Sequence, residues 1–227
     1  AYEILTCDWS SDVCSSDLPF YKLWARTEMR SRLLEISRIN SPKIADQRLD
    51  EAIRGLSFSA SSKWPINFPR LRLNKFDFSN YVNTRNYPYT DGTSRLSPYI
   101  RFGIVSIREI YRRVKLEAPQ TETYISELAW REFWYHVMHY FPETKDLEFQ
   151  EKRRNIQWIN NATWYEAWKE GRTGYPIVDA GMRQLQKEGW IHNRVRMIVA
   201  SFLTKDLLID WRMGDRHFFD FLIDYDE

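Results

Sequence analysis

Between Tyr124 and Trp134 the sequence reads YISELAWREFW, a carboxylate and two charged neighbours set among aromatic rings. On a helix, Tyr124, Glu127, Arg131 and Trp134 fall near one stripe, and Trp130 flanks it. Charged groups among rings are costly to bury unless paired, and such groups often mark a site. The same spacing also fits a plain Glu127–Arg131 pair at i,i+4 on a helix surface. A second stretch, GTSRLSPY at 92–99, gathers hydroxyls, main-chain N–H groups and Arg95 ahead of Pro98. Those donors suit a phosphate, although an ordinary loop leading into a helix cap reads the same way. A third, GWIHNRVRMIVASFLTKDLLIDWR at 189–212, threads Asn193, Arg194, Arg196 and Asp206 through an apolar helix. There Asn193 and Met197 share a face, and a buried Arg196 would need an ion pair with Asp206 or a later aspartate. His136 and His139 lack the further ligands of a metal site, so no metal is expected. The eight glycines form neither GxGxxG nor Walker A, and there is no GxSxG elbow.

Helices must position these groups. From about Leu96 onward the apolar spacing is helical, and no βαβ alternation appears, so the fold class is all-α. Ser106-Ile107-Arg108-Glu109 reads as a capping box. Thr121–Phe141 is a helix stopped by Pro142, and Ala162–Glu170 is one stopped by Gly171. Pro176 opens a helix running to Gly189. Asn193–Leu208 and Asp215–Leu222 complete the set. Residues 19–90 are broken by prolines and read as a linker wrapping a core, with one helical stretch near Pro42–Leu56.

The chain of 227 residues has a net charge of only +2, so overall basicity does not point to nucleic acid. Its arginines cluster, though, at Arg108-Arg112-Arg113, Arg153-Arg154 and Arg194-Arg196, which allows a local basic face. Aromatic residues make up 16% of the chain, enough both to fill a core and to stack on a flat ligand. No apolar run reaches membrane-spanning length, and no secretory signal pattern is visible. Both cysteines, Cys7 and Cys14, lie in CDWSSDVCSSDL at 7–18. Back-translated, this segment resembles a sequencing-library adaptor, so residues 1–18 are set aside as an artefact. The remainder is cysteine-free and suits a reducing cytoplasm.

Taken together, GTSRLSPYIRFG, ELAWREFW, GRTGYPIVDAGMRQL, GWIHNRVRMIVASFLTKDLLIDWR and IDYD resemble the DNA photolyase and cryptochrome family in its flavin-binding helical domain. The resemblance runs from about Pro19 to Glu227. It implies FAD, bound bent, with Tyr81, Thr93, Ser94, Arg95, Leu96 and Ser97 around the pyrophosphate. It assigns Tyr124, Arg131, Trp190, Asn193, Arg196, Asp224 and Asp226 to the rest of the flavin cradle. Glu127 matches a carboxylic acid that hydrogen-bonds damaged bases, Trp130 a ring that stacks on them, and Asn193 and Met197 further lesion contacts. Arg85 and Arg194 match positions near DNA phosphates, and Trp158 and Trp211 the outer and middle rings of an electron relay.

The reaction so implied is light-driven repair of cyclobutane pyrimidine dimers by one electron from reduced FAD, on a lesion flipped out of the duplex. Asn193, where the 6-4 enzymes place histidine, favours dimer repair of the microbial type. The alternative is a cryptochrome-like photoreceptor without repair activity. Damaged DNA is the expected partner, and a cytoplasmic monomer the expected state. The organisation expected is a linker and domain start over 19–90 and the flavin-binding helical domain over 91–227. Against the family pattern the chain reads as truncated at both ends and without the antenna domain, and weak or absent flavin retention is expected.

Overall fold

The computed structural model describes residues 18–26, 68–117 and 121–226, and among these residues there is no strand. The helix expected near Pro42–Leu56 lies outside the described residues. Short helices α1 (Leu18–Trp24), α2 (Phe68–Lys75) and α3 (Tyr81–Thr84) occupy part of the stretch read as irregular linker. They are followed by α4 (Ser97–Arg101), α5 (Ile107–Glu117), α6 (Glu122–Tyr140), α7 (Ala162–Lys169), α8 (Pro176–Glu188), α9 (Asn193–Ser201) and α10 (Trp211–Phe221).

The ends follow local chemistry. Asn161 caps α7 by accepting from the N–H of Trp164 at 3.1 Å. Pro176 opens α8, and Gly189 closes it in the left-handed conformation. Ser106 does cap α5, but its hydroxyl accepts from Arg108 N–H at 3.3 Å rather than from that of Glu109, so the expected box is only half realised.

Two expected boundaries are corrected. The helix read over Asn193–Leu208 stops at Ser201 and widens into a π-helical turn, Phe202–Asp206. The Thr204 hydroxyl back-bonds to the carbonyl of Ala200 at 3.0 Å, which competes with the regular ladder. Leu208 then turns left-handed, and its carbonyl accepts from Ile159 N–H at 2.8 Å. The last helix begins at Trp211, not Asp215, because Asp210 caps it through Arg212 N–H at 3.0 Å. Gly214 lies within this helix. In the fold it is where α10 meets Leu203, so closely that a Cβ there would collide with that side chain.

The helices bury two apolar clusters. One joins Phe78, Leu96, Tyr99, Ile110, Val114, Tyr124 and Leu128 from α2 to α6. The other joins Trp168, Met182, Leu185, Ile191, Val199 and Ile209 from α7 to α10. A satellite of Phe20, Ala129, Phe133 and Val137 seats α1 on α6. No described helix is long and apolar enough to cross a membrane.

Candidate flavin and nucleic-acid site

The seam between the two clusters holds a cavity of about 340 Å³, within the ~300–1,000 Å³ of small-molecule sites. Tyr81, Thr93, Ser94, Arg95, Leu96, Ser97, Tyr124, Arg131, Trp190, Asn193, Arg196, Asp224 and Asp226 all line it, so the fold brings together every residue singled out for the cofactor. Their chain separation is large, which makes the convergence a property of tertiary packing. Ile100, Arg101, Leu128 and Ile191 also line the cavity and were not foreseen. Arg101 stands one turn beyond Ser97, and that spacing was the signal available.

Contacts across the seam are polar or cationic. Trp190 Nε1 donates to Ser97 Oγ at 3.3 Å, and the Arg95 guanidinium lies 4.6 Å over the Trp190 ring. Arg101 Nε donates to the Tyr225 carbonyl at 2.7 Å. Asp226 receives Arg101 at 3.3 Å, Arg131 at 3.4 Å and the Tyr135 hydroxyl. Tyr135, one turn beyond Arg131, escaped the sequence reading. The Arg196 ion pair falls on Asp224 rather than Asp206: Arg196 Nη2 donates to both its oxygens at 2.8 Å. Arg196 Nε holds the Ile191 carbonyl at 3.0 Å.

Ser94 Oγ and Tyr124 Oη share a hydrogen bond at 2.8 Å deep in the wall. Burial pushes the Tyr124 phenol well above its ordinary value and that of Tyr81 up to about 12, with nearby Glu127 adding to both. Both rings stay neutral and can donate. Arg95 holds φ of 53°, a left-handed backbone unusual for a side chain of its size. Among the described residues its guanidinium meets the Trp190 face but no carboxylate. Four guanidinium groups thus face three carboxylates around the cavity, an excess of positive charge that fits an anionic ligand with a flat ring.

A second chamber of about 630 Å³ shares Tyr81, Thr93, Glu127 and Asn193 with the first. Arg85, Trp130, Trp134, His192, Arg194 and Met197 line the rest. The residues named for lesion and DNA contact therefore converge as well. Trp130 stacks on Trp134, with centroids 6.0 Å apart, and Met197 is 55% exposed. Glu127 does not pair with Arg131 along the helix; its carboxylate takes the Arg85 guanidinium instead. Arg194 donates to Asn86 Oδ1 at 2.8 Å. His192 caps α9 by accepting from Arg194 N–H at 3.1 Å. Burial, offset in part by the Arg85 main chain, keeps this imidazole below its ordinary pKa, and Arg194, Arg95 and Arg196 push the same way.

Trp158 and Trp211 line neither chamber. The Ile159 N–H bonds to the Leu208 carbonyl and the Asp210 N–H to the Asn160 side-chain Oδ1, which place their segments side by side. Trp211 donates its indole N–H to Glu148 at 3.1 Å. His136 packs against Phe20 and His139 against Tyr140, and no group of three or more metal-ligating side chains forms among the described residues.

Comparison with known proteins gives this arrangement its family. Residues 124–227 match the FAD binding domain of DNA photolyase. A deoxyribodipyrimidine photo-lyase of Alkalihalophilus pseudofirmus is 43% identical over 222 residues, which cover 92% of this chain and 46% of that protein. The chain thus spans about half the length of that relative, and less of several others. The crystal structure of a class III photolyase from Agrobacterium tumefaciens superimposes with a TM-score of 0.66 at 40% identity, over 70% of this chain and 34% of that one. An archaeal photolyase from Sulfolobus tokodaii, solved with two FAD molecules, gives 0.65 at 43%, over 71% and 36%. With a helical fold, a seam cavity and this degree of likeness, the chain belongs to the DNA photolyase and cryptochrome family.

Proposed function

We propose that the protein binds FAD in the seam cavity and receives the damaged bases of a cyclobutane pyrimidine dimer in the adjoining chamber, in the light-driven repair of DNA. The observation that carries this reading is the shared wall: Tyr81, Thr93, Glu127 and Asn193 face both chambers, so a cofactor and a substrate would lie in contact. When bound and reduced, FAD supplies the light-activated electron that opens the dimer.

The chain's own residues do the rest. Arg95, with Thr93, Ser94 and Ser97, meets the pyrophosphate. Arg131 and Arg196, each held by an aspartate, keep the cradle rigid before the ligand arrives. Trp130 offers a ring face and Met197 a polarizable side chain to extruded bases, and Glu127 with Asn193 reads their polar edges. Arg85 and Arg194 supply salt-dependent attraction to the backbone. Trp158 and Trp211 form part of an electron path leading outward from the cavity. The working setting is the cytoplasm, with the protein acting as a monomer.

A cryptochrome-like photoreceptor would need the first chamber and not the second, and the lesion residues around the second favour repair. The test is equilibrium binding in the dark. The purified chain is titrated with FAD, and then with matched duplexes that carry one thymine dimer or none. Saturable FAD binding with preference for the dimer duplex is expected. FAD binding without that preference would favour the photoreceptor, and loss of both would end the proposal.

A further inference from the structure

Arg85 and Glu127 are 42 residues apart in sequence, yet they are each other's partner. Arg85 ends α3, where its N–H bonds to the Tyr81 carbonyl at 2.9 Å, and its guanidinium lies 5.7 Å over the Tyr81 ring. Glu127 stands in the second turn of α6, on the wall common to both chambers. Both side chains keep partial access to solvent, 22% for Arg85 and 34% for Glu127. The Arg85 main chain is fixed by the helical turn. Its long side chain can therefore swing without moving the loop.

This geometry couples two events that the proposed function treats separately. While Arg85 holds Glu127, its Nη1 and the carboxylate's Oε1 are spent on each other, so that oxygen is withheld from a base and the guanidinium is drawn toward Glu127 and away from a phosphate. A DNA phosphate can compete for the guanidinium, because its two free oxygens allow a forked pair where Glu127 takes a single bond, and neighbouring phosphates add to the attraction. A half-exposed carboxylate pair is weak enough to be exchanged.

Resting on the repair reading, we propose that the Arg85–Glu127 pair is a latch on the lesion chamber. DNA phosphate draws Arg85 away and so releases Glu127 to the flipped bases. In the free protein the latch withholds one cation from undamaged DNA. It thereby adds to discrimination, since only a lesion rewards the freed carboxylate with new hydrogen bonds.

A double-mutant cycle on the full chain decides this, read by fluorescence anisotropy without cofactor. The wild type, Glu127→Gln, Arg85→Gln and the double variant are titrated with an undamaged duplex and with the same duplex carrying one thymine dimer, over a series of salt concentrations. If the latch exists, Glu127→Gln binds undamaged DNA roughly two- to fivefold more tightly. The log–log salt slope steepens by about one unit, as an added phosphate contact requires. In the Arg85→Gln background the same Glu127→Gln change has little effect.

Equal tightening in both backgrounds would mean that Glu127 merely repels DNA, and the latch would be wrong. No tightening at all would sink it as well. If the wild type binds both duplexes equally, the repair reading fails, and the undamaged-duplex cycle still decides whether Glu127 withholds Arg85. Binding to neither duplex overturns both. Should Arg85→Gln not fold, Arg85→Lys replaces it, since lysine keeps the charge but loses the forked pairing.

Discussion

Trp168 and Trp190 are both buried, and their surroundings differ in kind. Trp168 is fully buried in the cluster of α7 to α10, stacked on Tyr165, with its indole N–H given to the Val199 carbonyl at 3.0 Å. Every contact stays inside one cluster. Trp190 spends its N–H on Ser97, across the seam, and carries Arg95 on its face. The same contrast holds for carboxylates. Asp179 is enclosed by Thr173 N–H, Thr173 Oγ1 and Gly174 N–H, and serves the loop it closes. Asp226 gathers Arg101 from α4 and Arg131 and Tyr135 from α6 at the cavity wall. The α7–α10 region satisfies Trp168 and Asp179 locally and gains stability from apolar area. The seam satisfies Trp190 and Asp226 at long range and holds an excess of cations ready for a ligand.

The largest expected effect follows from the first of these. Trp168→Ala should destabilise the chain by about 3–5 kcal/mol, because it empties a fully buried site and removes the indole bond to the Val199 carbonyl. A urea midpoint measures it. A loss below about 1 kcal/mol would mean that the two regions are not energetically distinct.

Much of this contrast was legible in the sequence, and the part that was not has a physical cause. Helical periodicity and caps placed α6, α7 and α8 to within a residue or two, since those signals are local. The π turn after Ser201 was missed because a threonine back-bond and a tight Gly214–Leu203 contact decide it, and only the tertiary structure sets the second. At the site, family motifs identified residues that do converge on one cavity. The pairing was the illegible part: Glu127 has a plausible helix neighbour in Arg131, yet its partner is Arg85, and Arg131 turns to Asp226. Spacing along one helix cannot rank a local ion pair against one brought in by another element.

A change of pH sharpens the comparison next, because each region buries one imidazole. His217 lies 5.4 Å from Trp168 and 4.6 Å from Phe221. Burial holds its pKa below the ordinary value; Lys169 pushes the same way, while Asp220 and Glu166 oppose it. His192, at the seam, is lowered too, as described above. A depressed native pKa means that the unfolded chain binds the proton more readily. Stability is then fully present above the unfolded value of about 6.5 and declines as pH falls below it. Melting temperatures from pH 8 to pH 5 should show this decline. His217→Leu should remove the α7–α10 share, and His192→Asn, which keeps a helix cap, the seam share. A slope unchanged by both substitutions would show that carboxylates, and not these rings, govern acid sensitivity.

The smallest effect on stability should accompany a large effect on binding, at Arg95. Its left-handed backbone costs about 1–2 kcal/mol. Glycine removes that cost, but it adds about 0.5–1 kcal/mol of chain entropy and forfeits a cation–π contact of about 0.5–1 kcal/mol. Arg95→Gly should therefore leave stability within about 1 kcal/mol of the parent. Its affinity for FAD, or for ADP as a probe of the pyrophosphate alone, should fall about tenfold or more, as loss of a charge-assisted hydrogen bond requires. Calorimetric titration with ADP beside a thermal melt reads both quantities on one sample. If the melt collapses while ADP binding survives, the strained turn serves the fold, and the seam is built on the same terms as the core. If the melt holds and binding is lost, the strain at Arg95 is kept for the ligand.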